Sequence, residues 1–298
     1  MTSRPRILPA VLLAAILGIS ISGPLARLAQ AEPLAIAVWR LALALAVIAI
    51  ALLVTGEWRE WRQLSRRDLA VAAGAGVLLA LHFWSWIASL GMTSVAASVL
   101  LVNLHPVVIV AGSALWLRER PTRVQVLGLG LSLAGAAVIG LGDAMRGSAG
   151  GPAGSAALGN ALALLGAITV GLYYLAGRSL RQRLSLWPYV GLVYGTCLLA
   201  LLVFAAATGT HLWPFAQREW LLFAGIALGP MLLGHTGFNW SLRHVPAYVV
   251  SLAVLAEPVG AALLAYLLPG IGETPAAHVL AGGAVVLAGL VLGVRGEG

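Results

Sequence analysis

The sequence contains few charged residues. Only 9% of its 298 residues are charged, whereas 60% are hydrophobic, and the mean hydropathy is +0.96. A soluble domain carries about 25% charged residues. This composition excludes a domain that stays dispersed in water, and it predicts that a lipid bilayer is the solvent for most of the chain.

Lysine is absent, so all 18 basic residues are arginine, and they give the chain its formal net charge of +8. A nucleic-acid-binding face would gather this charge in one patch, but here it is spread over short segments between apolar spans. If the N-terminus is cytoplasmic, most arginines fall in cytoplasmic segments, and only Arg27, Arg146 and Arg218 lie on the opposite side. The positive-inside rule therefore predicts that both termini are cytoplasmic and gives no reason to expect a nucleic-acid partner.

Cysteine is nearly absent. Cys197 is the only one, which excludes an internal disulfide and any zinc or haem site built from several cysteines. The sequence also lacks the GxSxG, HExxH and P-loop motifs of common hydrolases and nucleotide-binding proteins. We therefore expect no metal and no cofactor, and a membrane-embedded enzyme, the rival class of function, has no convergent catalytic residues to support it.

Long apolar stretches recur along the whole chain. Each is close to the 20 residues that an α-helix needs to cross the hydrocarbon core, and none alternates as a β-barrel strand does. The first resembles a secretory signal, but another apolar span follows at once, so we expect it to be retained. The predicted spans are residues 7–26, 33–55, 69–90, 94–116, 124–142, 157–177, 187–208, 219–241, 246–268 and 275–294.

The chain repeats itself at an offset of about 152 residues. SLGMTSVAASVLLVNLHP at 89–106 matches SLRHVPAYVVSLAVLAEP at 241–258, and both end in a titratable residue followed by proline. Residues 147–156 have the composition of a linker. The sequence predicts an all-α membrane protein of ten helices, with one five-helix repeat in 1–146 and a second in 157–298. Since five is odd, the second repeat enters the membrane from the opposite face, an arrangement typical of transporters.

The two matching positions, His105-Pro106 and Glu257-Pro258, lie within predicted spans four and nine. Proline removes a backbone donor and clashes with the preceding turn, so each helix is predicted to be interrupted there. Backbone freed by such a break must line protein or a watery cavity, and a titratable side chain beside it should face the same interior. These residues are therefore candidates for gating or coupling.

With these features the sequence resembles the drug/metabolite transporter superfamily, in its EamA-type ten-helix branch, from about residue 7 to 294. The resemblance rests on the repeated segments, on Glu257-Pro258, on Glu119 and Glu273 before the last helix of each half, and on Arg40. Within that branch the chain is most similar to bacterial aromatic amino acid exporters. The resemblance implies a carrier of the bacterial inner membrane that works by alternating access, with a central cavity between spans one, three, four, six, eight and nine. His105 departs from the usual pattern of the family, so the resemblance does not identify the substrate.

Polar residues at helical spacing predict which side chains face that cavity. In span three, His82 and Trp86 share a face with Ser85 and Ser89, and in span eight, His235 and Asn239 are one turn apart. Each could instead bond a neighbouring helix. Of the adjacent tyrosines in span six, only one can point fully inward. The predicted substrate-binding residues are His82, Trp86, Asn103, Tyr173, His235, Asn239 and Ser251, and the predicted gating or coupling residues are His105, Pro106, Glu257, Pro258 and Arg40.

Such an inventory suits aromatic or bulky neutral amino acids, because His, Asn and Ser can bind the carboxylate and ammonium while aromatic faces hold the side chain. A lipophilic drug or cation, with Glu257 as its counter-charge, fits nearly as well. We expect Arg40 to pair with carbonyls or with Glu257, a substrate carboxylate being the alternative. We also expect Glu257 to act as a fixed polar group at its helix break rather than as a proton carrier.

Small residues at four-residue intervals mark the last span of each half. Span five carries Gly128, Ser132, Ala136 and Gly140, and span ten carries Gly289 and Gly293. Such spacing lets helix backbones approach closely. We therefore predict that these two helices pack on each other outside the substrate cavity. The oligomeric state stays open.

Overall fold

The computed structural model describes residues 5–112, 115, 122–146, 154–254 and 256–295. In these ranges the ordered elements are helices, joined by short connections. Their bounds are α1 Leu8–Ser20, α2 Ser22–Leu28, α3 Pro33–Thr55, a 3₁₀ helix Glu57–Gln63, α4 Arg66–Leu90, α5 Val95–Val102, α6 His105–Gly112, α7 Arg123–Arg146, α8 Ala156–Arg181, α9 Leu186–Thr208, α10 Gln217–Ile226, a π-helical segment Ala227–His235, α11 Thr236–Ser241, α12 Ala247–Val254, α13 Glu257–Leu267 and α14 Ala277–Arg295.

Many of these elements join into spans of bilayer length. Within the described residues, seven helical spans are long and apolar enough to cross a membrane, and three shorter apolar helices accompany them. The seven are Leu8–Leu28, Pro33–Thr55, Arg66–Leu90, Val95–Gly112, Ala156–Arg181, Leu186–Thr208 and Gln217–Ser241, and the shorter ones are Arg123–Ile139, Glu257–Leu267 and Ala277–Gly289. The predicted all-α membrane protein is thus confirmed, whereas the crossing of the remaining three spans stays a prediction.

Proline sets the places where spans are interrupted. α5 ends at Val102, four residues before Pro106, and α12 ends at Val254, four residues before Pro258. A proline has no N–H for the carbonyl four residues earlier and its ring crowds that carbonyl. The predicted interruptions in spans four and nine are confirmed at these positions.

Two further interruptions follow the same rule and were not predicted from the sequence. α1 ends at Ser20, four residues before Pro24, and α10 ends at Ile226, four residues before Pro230. The chain continues through Pro230 as a π-helical segment, whose wider turn accommodates the proline ring. Pro24 and Pro230 were the sequence signal from which these two interruptions could have been predicted.

Loop contacts gather the helix ends into two groups. At one end, Ser155 donates to Met92 O at 2.8 Å, and the guanidinium of Arg218 donates to Leu28 O at 3.0 Å. At the other end, Ser185 N donates to Glu60 Oε2 at 2.9 Å and Trp61 Nε1 donates to Pro188 O at 3.0 Å. We call these the linker end and the opposite end.

The helices of the two halves exchange partners. α4 packs on α8 and α9, while the π segment packs on α1 and α3. Likewise α5 and α6 pack on α8, while α12 and α13 pack on α1. Each pair in this list joins a helix of the first half to a helix of the second, so the bundle is formed between the halves rather than within each.

α7 and α14 form a close seam at one side of the bundle, as predicted. A Cβ added to Gly135 would lie 2.6 Å from Gly282 O and 2.7 Å from Val286 N, and one added to Gly289 would lie 2.7 Å from Ser132 N. Ser132 Oγ donates to Gly128 O at 2.9 Å and to Val286 O at 3.3 Å. The structure does not describe the packing around three of the predicted small residues, Ala136, Gly140 and Gly293.

Stability should therefore depend on Gly135 but not on Gly130 of the same helix. The Gly135→Ala methyl group would overlap the backbone of α14, and overpacking of this kind costs about 1–3 kcal/mol. Nothing lies within 4 Å of a Cβ at Gly130, so Gly130→Ala should leave stability unchanged or raise it slightly. Thermal unfolding in detergent, followed by a thiol-reactive dye at the buried Cys197, measures both. Equal unfolding temperatures for the two variants would contradict the seam.

Candidate functional site

Three of the four interruptions meet around one small cavity. Ile19 and Ser22 flank the first interruption, Asn103 lies in the second, and Val254 flanks the fourth. The remaining lining residues come from α4, α8, the π segment and the first residues of α6 and α13: His82, Trp86, Val102, His105, Val170, Tyr174, His235 and Glu257. The cavity thus lies where helical hydrogen bonding is broken.

The predicted polar face of α4 meets the cavity only in part. His82 and Trp86 both line it, and their rings are parallel with centroids 6.1 Å apart. His82 also contacts the backbone of α8, with Nδ1 3.0 Å from Gly166 O. Ser85 and Ser89 instead donate to carbonyls of their own helix. One histidine nitrogen therefore joins two helices, while the ring faces the cavity.

A hydrogen bond across the cavity links the two symmetric breaks. Asn103 Nδ2 donates to Val99 O at 2.8 Å and to Glu257 Oε2 at 3.2 Å. His105 Nδ1 lies 3.3 Å from Val102 O, the carbonyl that Pro106 leaves without its helical donor. The contact that the structure gives for Glu257 is with Asn103 rather than with the carbonyl of Val254. The second and fourth interruptions are thus fastened to each other by an amide and a carboxylate.

Several buried polar atoms on the cavity wall have no hydrogen-bond partner among the described residues. They are Trp86 Nε1, Asn103 Oδ1, His105 Nε2 and His235 Nδ1. Buried polar groups are almost always hydrogen-bonded, and leaving one unpaired costs about 1–3 kcal/mol. The wall therefore offers donors and acceptors to whatever enters the cavity.

The tyrosines of α8 divide between two environments. Tyr174 lines the cavity, with its ring 5.6 Å from that of His105. Tyr173 was selected from the sequence, but it lies outside the lining because its hydroxyl accepts from Asn239 Nδ2 at 2.5 Å. Asn239 also donates to the Tyr194 hydroxyl at 3.3 Å. Tyr173 and Asn239 thus form a separate buried network, and sequence spacing alone did not distinguish the two tyrosines.

The remaining predicted residues lie beside the cavity or outside the described part of the chain. Pro106 and Pro258 are buried next to the breaks that they cause. Arg40 is fully buried, but among the described residues it pairs neither with a carbonyl nor with Glu257, contrary to expectation. The side chain of Ser251 and the whole of Glu119 lie outside the described residues.

In this conformation the cavity is too small for an organic substrate. Its volume of about 30 Å³ has room for roughly two water molecules. Pockets that hold drug-sized ligands measure about 300–1,000 Å³. A molecule larger than water can occupy the site only after helices around it move apart.

Side chains form contacts between helices and loops toward both ends of the bundle. At the linker end, Trp39 and Trp220 meet edge to face at 4.5 Å, and Trp39 Nε1 donates to Leu212 O at 2.9 Å. At the opposite end, Arg178 donates to Leu242 O at 2.6 Å, and Arg181 Nε donates to Asn239 O at 3.0 Å. These contacts join helices and loops toward both ends of the bundle.

Comparison with known proteins agrees with this architecture. The model of the EamA-like transporter family matches residues 7–141 and 157–295. An uncharacterized transporter from Archaeoglobus fulgidus is 25% identical over 234 residues, which is 78% of this chain and 79% of that protein. A solved structure titled only as the crystal structure of a protein superposes with a TM-score of 0.71 at 21% identity, covering 98% of this chain and 99% of the other. That likeness concerns the fold.

Measurements of stability should show that Asn103 and Glu257 interact with each other. Asn103→Leu leaves a buried carboxylate without its donor, so it should lower stability by about 1–3 kcal/mol in the native background. In a Glu257→Gln background the same change should cost less, because the amide of glutamine is cheaper to leave unpaired than a carboxylate. A double-mutant cycle measured by thermal unfolding gives the coupling. Additivity to within about 0.5 kcal/mol would mean that the 3.2 Å contact contributes nothing.

Proposed function

The chain belongs to the EamA-like transporter family, and from that premise we propose that it exports aromatic or bulky neutral amino acids, or related metabolites, by alternating access. Membership makes it a multi-pass membrane transporter with a small-molecule substrate. The observation that carries the choice of substrate is the cavity wall. Unpartnered polar atoms for an amino acid's charged groups lie there beside the aromatic faces of Trp86 and Tyr174.

The exchange of packing partners between the halves supports an inverted repeat. The pairs α4 with α8 and π segment with α1 are the ones that a twofold axis in the membrane plane would interchange. The axis would pass close to Asn103 and Glu257, at the two matching breaks. Ten crossings and two cytoplasmic termini complete this proposal, and the distribution of arginines supports that orientation.

Alternating access then requires one end to open while the other stays closed. Opening the linker end would separate the Trp39 and Trp220 rings, and opening the opposite end would release the Arg178 contacts with residues 242–245. In this proposal, the structure with its small cavity is an intermediate between these states. The seam of α7 with α14 lies apart from the described cavity lining and need not change in either step.

A second candidate substrate is a lipophilic cation. Glu257 is buried, and within the described residues no cationic group lies within 4.0 Å of its carboxylate. An unpaired buried carboxylate beside aromatic rings is the arrangement that attracts organic cations. Reconstituted protein screened in liposomes with labelled amino acids and with cationic dyes separates the two candidates. Uptake of dyes alone would replace the amino acid proposal.

Trp86 should decide substrate size. We expect Trp86→Ala to reduce export of phenylalanine roughly tenfold and that of alanine much less, since aromatic contacts are worth about 0.5–1.5 kcal/mol beyond area burial. Counterflow in proteoliposomes measures both. Trp84→Ala on the same helix is the control, because its ring packs against Phe204 rather than on the cavity. An equal loss for both substrates would indicate a folding defect and would count against size recognition.

Glu257 should serve structure rather than proton coupling. Glutamine keeps the size of the side chain and its acceptor toward Asn103, but it cannot carry a proton. We expect Glu257→Gln to retain most transport in liposomes, with or without a pH gradient. If wild-type flux follows the imposed gradient and the glutamine variant loses that response, Glu257 is the coupling residue.

A further inference from the structure

Arg40 is a buried charge without a hydrogen-bond partner in the part of the chain that the structure describes. It lies seven residues into α3, about 10 Å along the helix from Pro33, and its exposed fraction is 0%. Among the described residues, Nε and both terminal nitrogens of the guanidinium lack a partner. A buried unpaired charge is expensive, so such groups are normally neutralised by an anion or by hydrogen bonds. The side chain therefore has unused capacity to bind an acceptor.

Phe83 contacts both this guanidinium and two residues of the cavity wall. The carbon atom of the guanidinium lies 4.1 Å from the Phe83 ring centroid, which is a cation–π contact. The same ring meets His235 edge on at 5.2 Å and His82 at 5.1 Å, and both histidines line the cavity. One phenyl ring thus links Arg40 to the cavity wall.

The nearest candidate for a counter-ion already has another contact. Glu257 and Arg40 form no ion pair within 4.0 Å, and Glu257 Oε2 accepts from Asn103. The described residues thus leave the guanidinium of Arg40 near the cavity without a carboxylate bound to it. The carboxylate of a substrate complements that group.

We propose that Arg40 binds the substrate carboxylate during the transport cycle, after rotation of the Phe83 ring opens the guanidinium to the cavity. This inference rests on the proposed function and deepens it, because it names the group of the substrate that is recognised. A guanidinium binds a carboxylate through two parallel hydrogen bonds. Substrates are then molecules with an aromatic or bulky apolar body and a free carboxylate. An amine of the same shape without a carboxylate would not engage Arg40.

The test compares ligands that differ in one group. Wild-type protein, Arg40→Gln and Arg40→Lys are reconstituted in liposomes, with Arg183→Gln as the control at an exposed arginine. Transport of labelled phenylalanine and of labelled 3-phenylpropionate is measured for each protein. Competition against this transport is measured with phenylalanine methyl ester and with phenethylamine. Folding of each variant is checked by thermal unfolding through the buried Cys197.

We expect Arg40→Gln to weaken binding of both carboxylates about 10- to 100-fold, the range for lost hydrogen bonds to a charged group. Competition by the ester and the amine should change less than threefold. Arg40→Lys keeps the charge without the planar pair of donors, so it should lie between glutamine and wild type. Arg183→Gln should match wild type.

Distinct results separate this inference from the proposed function. If 3-phenylpropionate is carried in an Arg40-dependent way but phenylalanine is not, the amino acid proposal is wrong and the role of Arg40 stands. If phenylalanine is carried equally by wild type and by folded Arg40→Gln, the role of Arg40 is overturned and the function stands. If neither Arg40 variant folds, competition measured on the wild-type protein tests the inference. Equal competition by phenylalanine and by its methyl ester overturns carboxylate recognition, and a clear preference for the free acid supports it.

Discussion

The architecture depends on a single backbone constraint, the carbonyl that a proline leaves without a donor four residues upstream. Pro24, Pro106, Pro230 and Pro258 each end a helix at that carbonyl. In lipid, an unpaired carbonyl costs several kcal/mol, so these four points must face protein or water. Side chains beside three of them, at Pro24, Pro106 and Pro258, converge on the cavity. The cavity is the space that this convergence encloses, and its polar lining follows from the need to satisfy broken backbone.

The same constraint explains how far sequence reasoning reaches. Composition, span length and the repeat predicted an all-helical membrane protein, and proline next to a titratable residue predicted the breaks at His105 and Glu257. The small-residue spacing of spans five and ten predicted their seam. These predictions succeed because each depends on a local requirement that every bilayer imposes: paired backbone groups, apolar spans of sufficient length and small residues where helices approach closely.

What the sequence left undetermined depends on which neighbour a side chain meets. Adjacent Tyr173 and Tyr174 are equivalent in pattern, and only the position of Asn239 on α11 draws one of them away from the cavity. Arg40 was expected to find a carbonyl or Glu257, but Asn103 occupies the carboxylate and Phe83 covers the guanidinium. Both outcomes are set by tertiary contacts between residues that are distant in the sequence. The breaks at Pro24 and Pro230 are a different case. They could have been predicted from the sequence, because the proline rule that predicted the breaks at Pro106 and Pro258 applies to them equally.

The small size of the central void has a consequence that is separate from substrate recognition. The void holds about two water molecules. The hydrocarbon core of a bilayer is about 30 Å thick, so a continuous file of water across it needs many more molecules than that. In this conformation the void by itself therefore gives protons and ions no continuous aqueous path across the membrane.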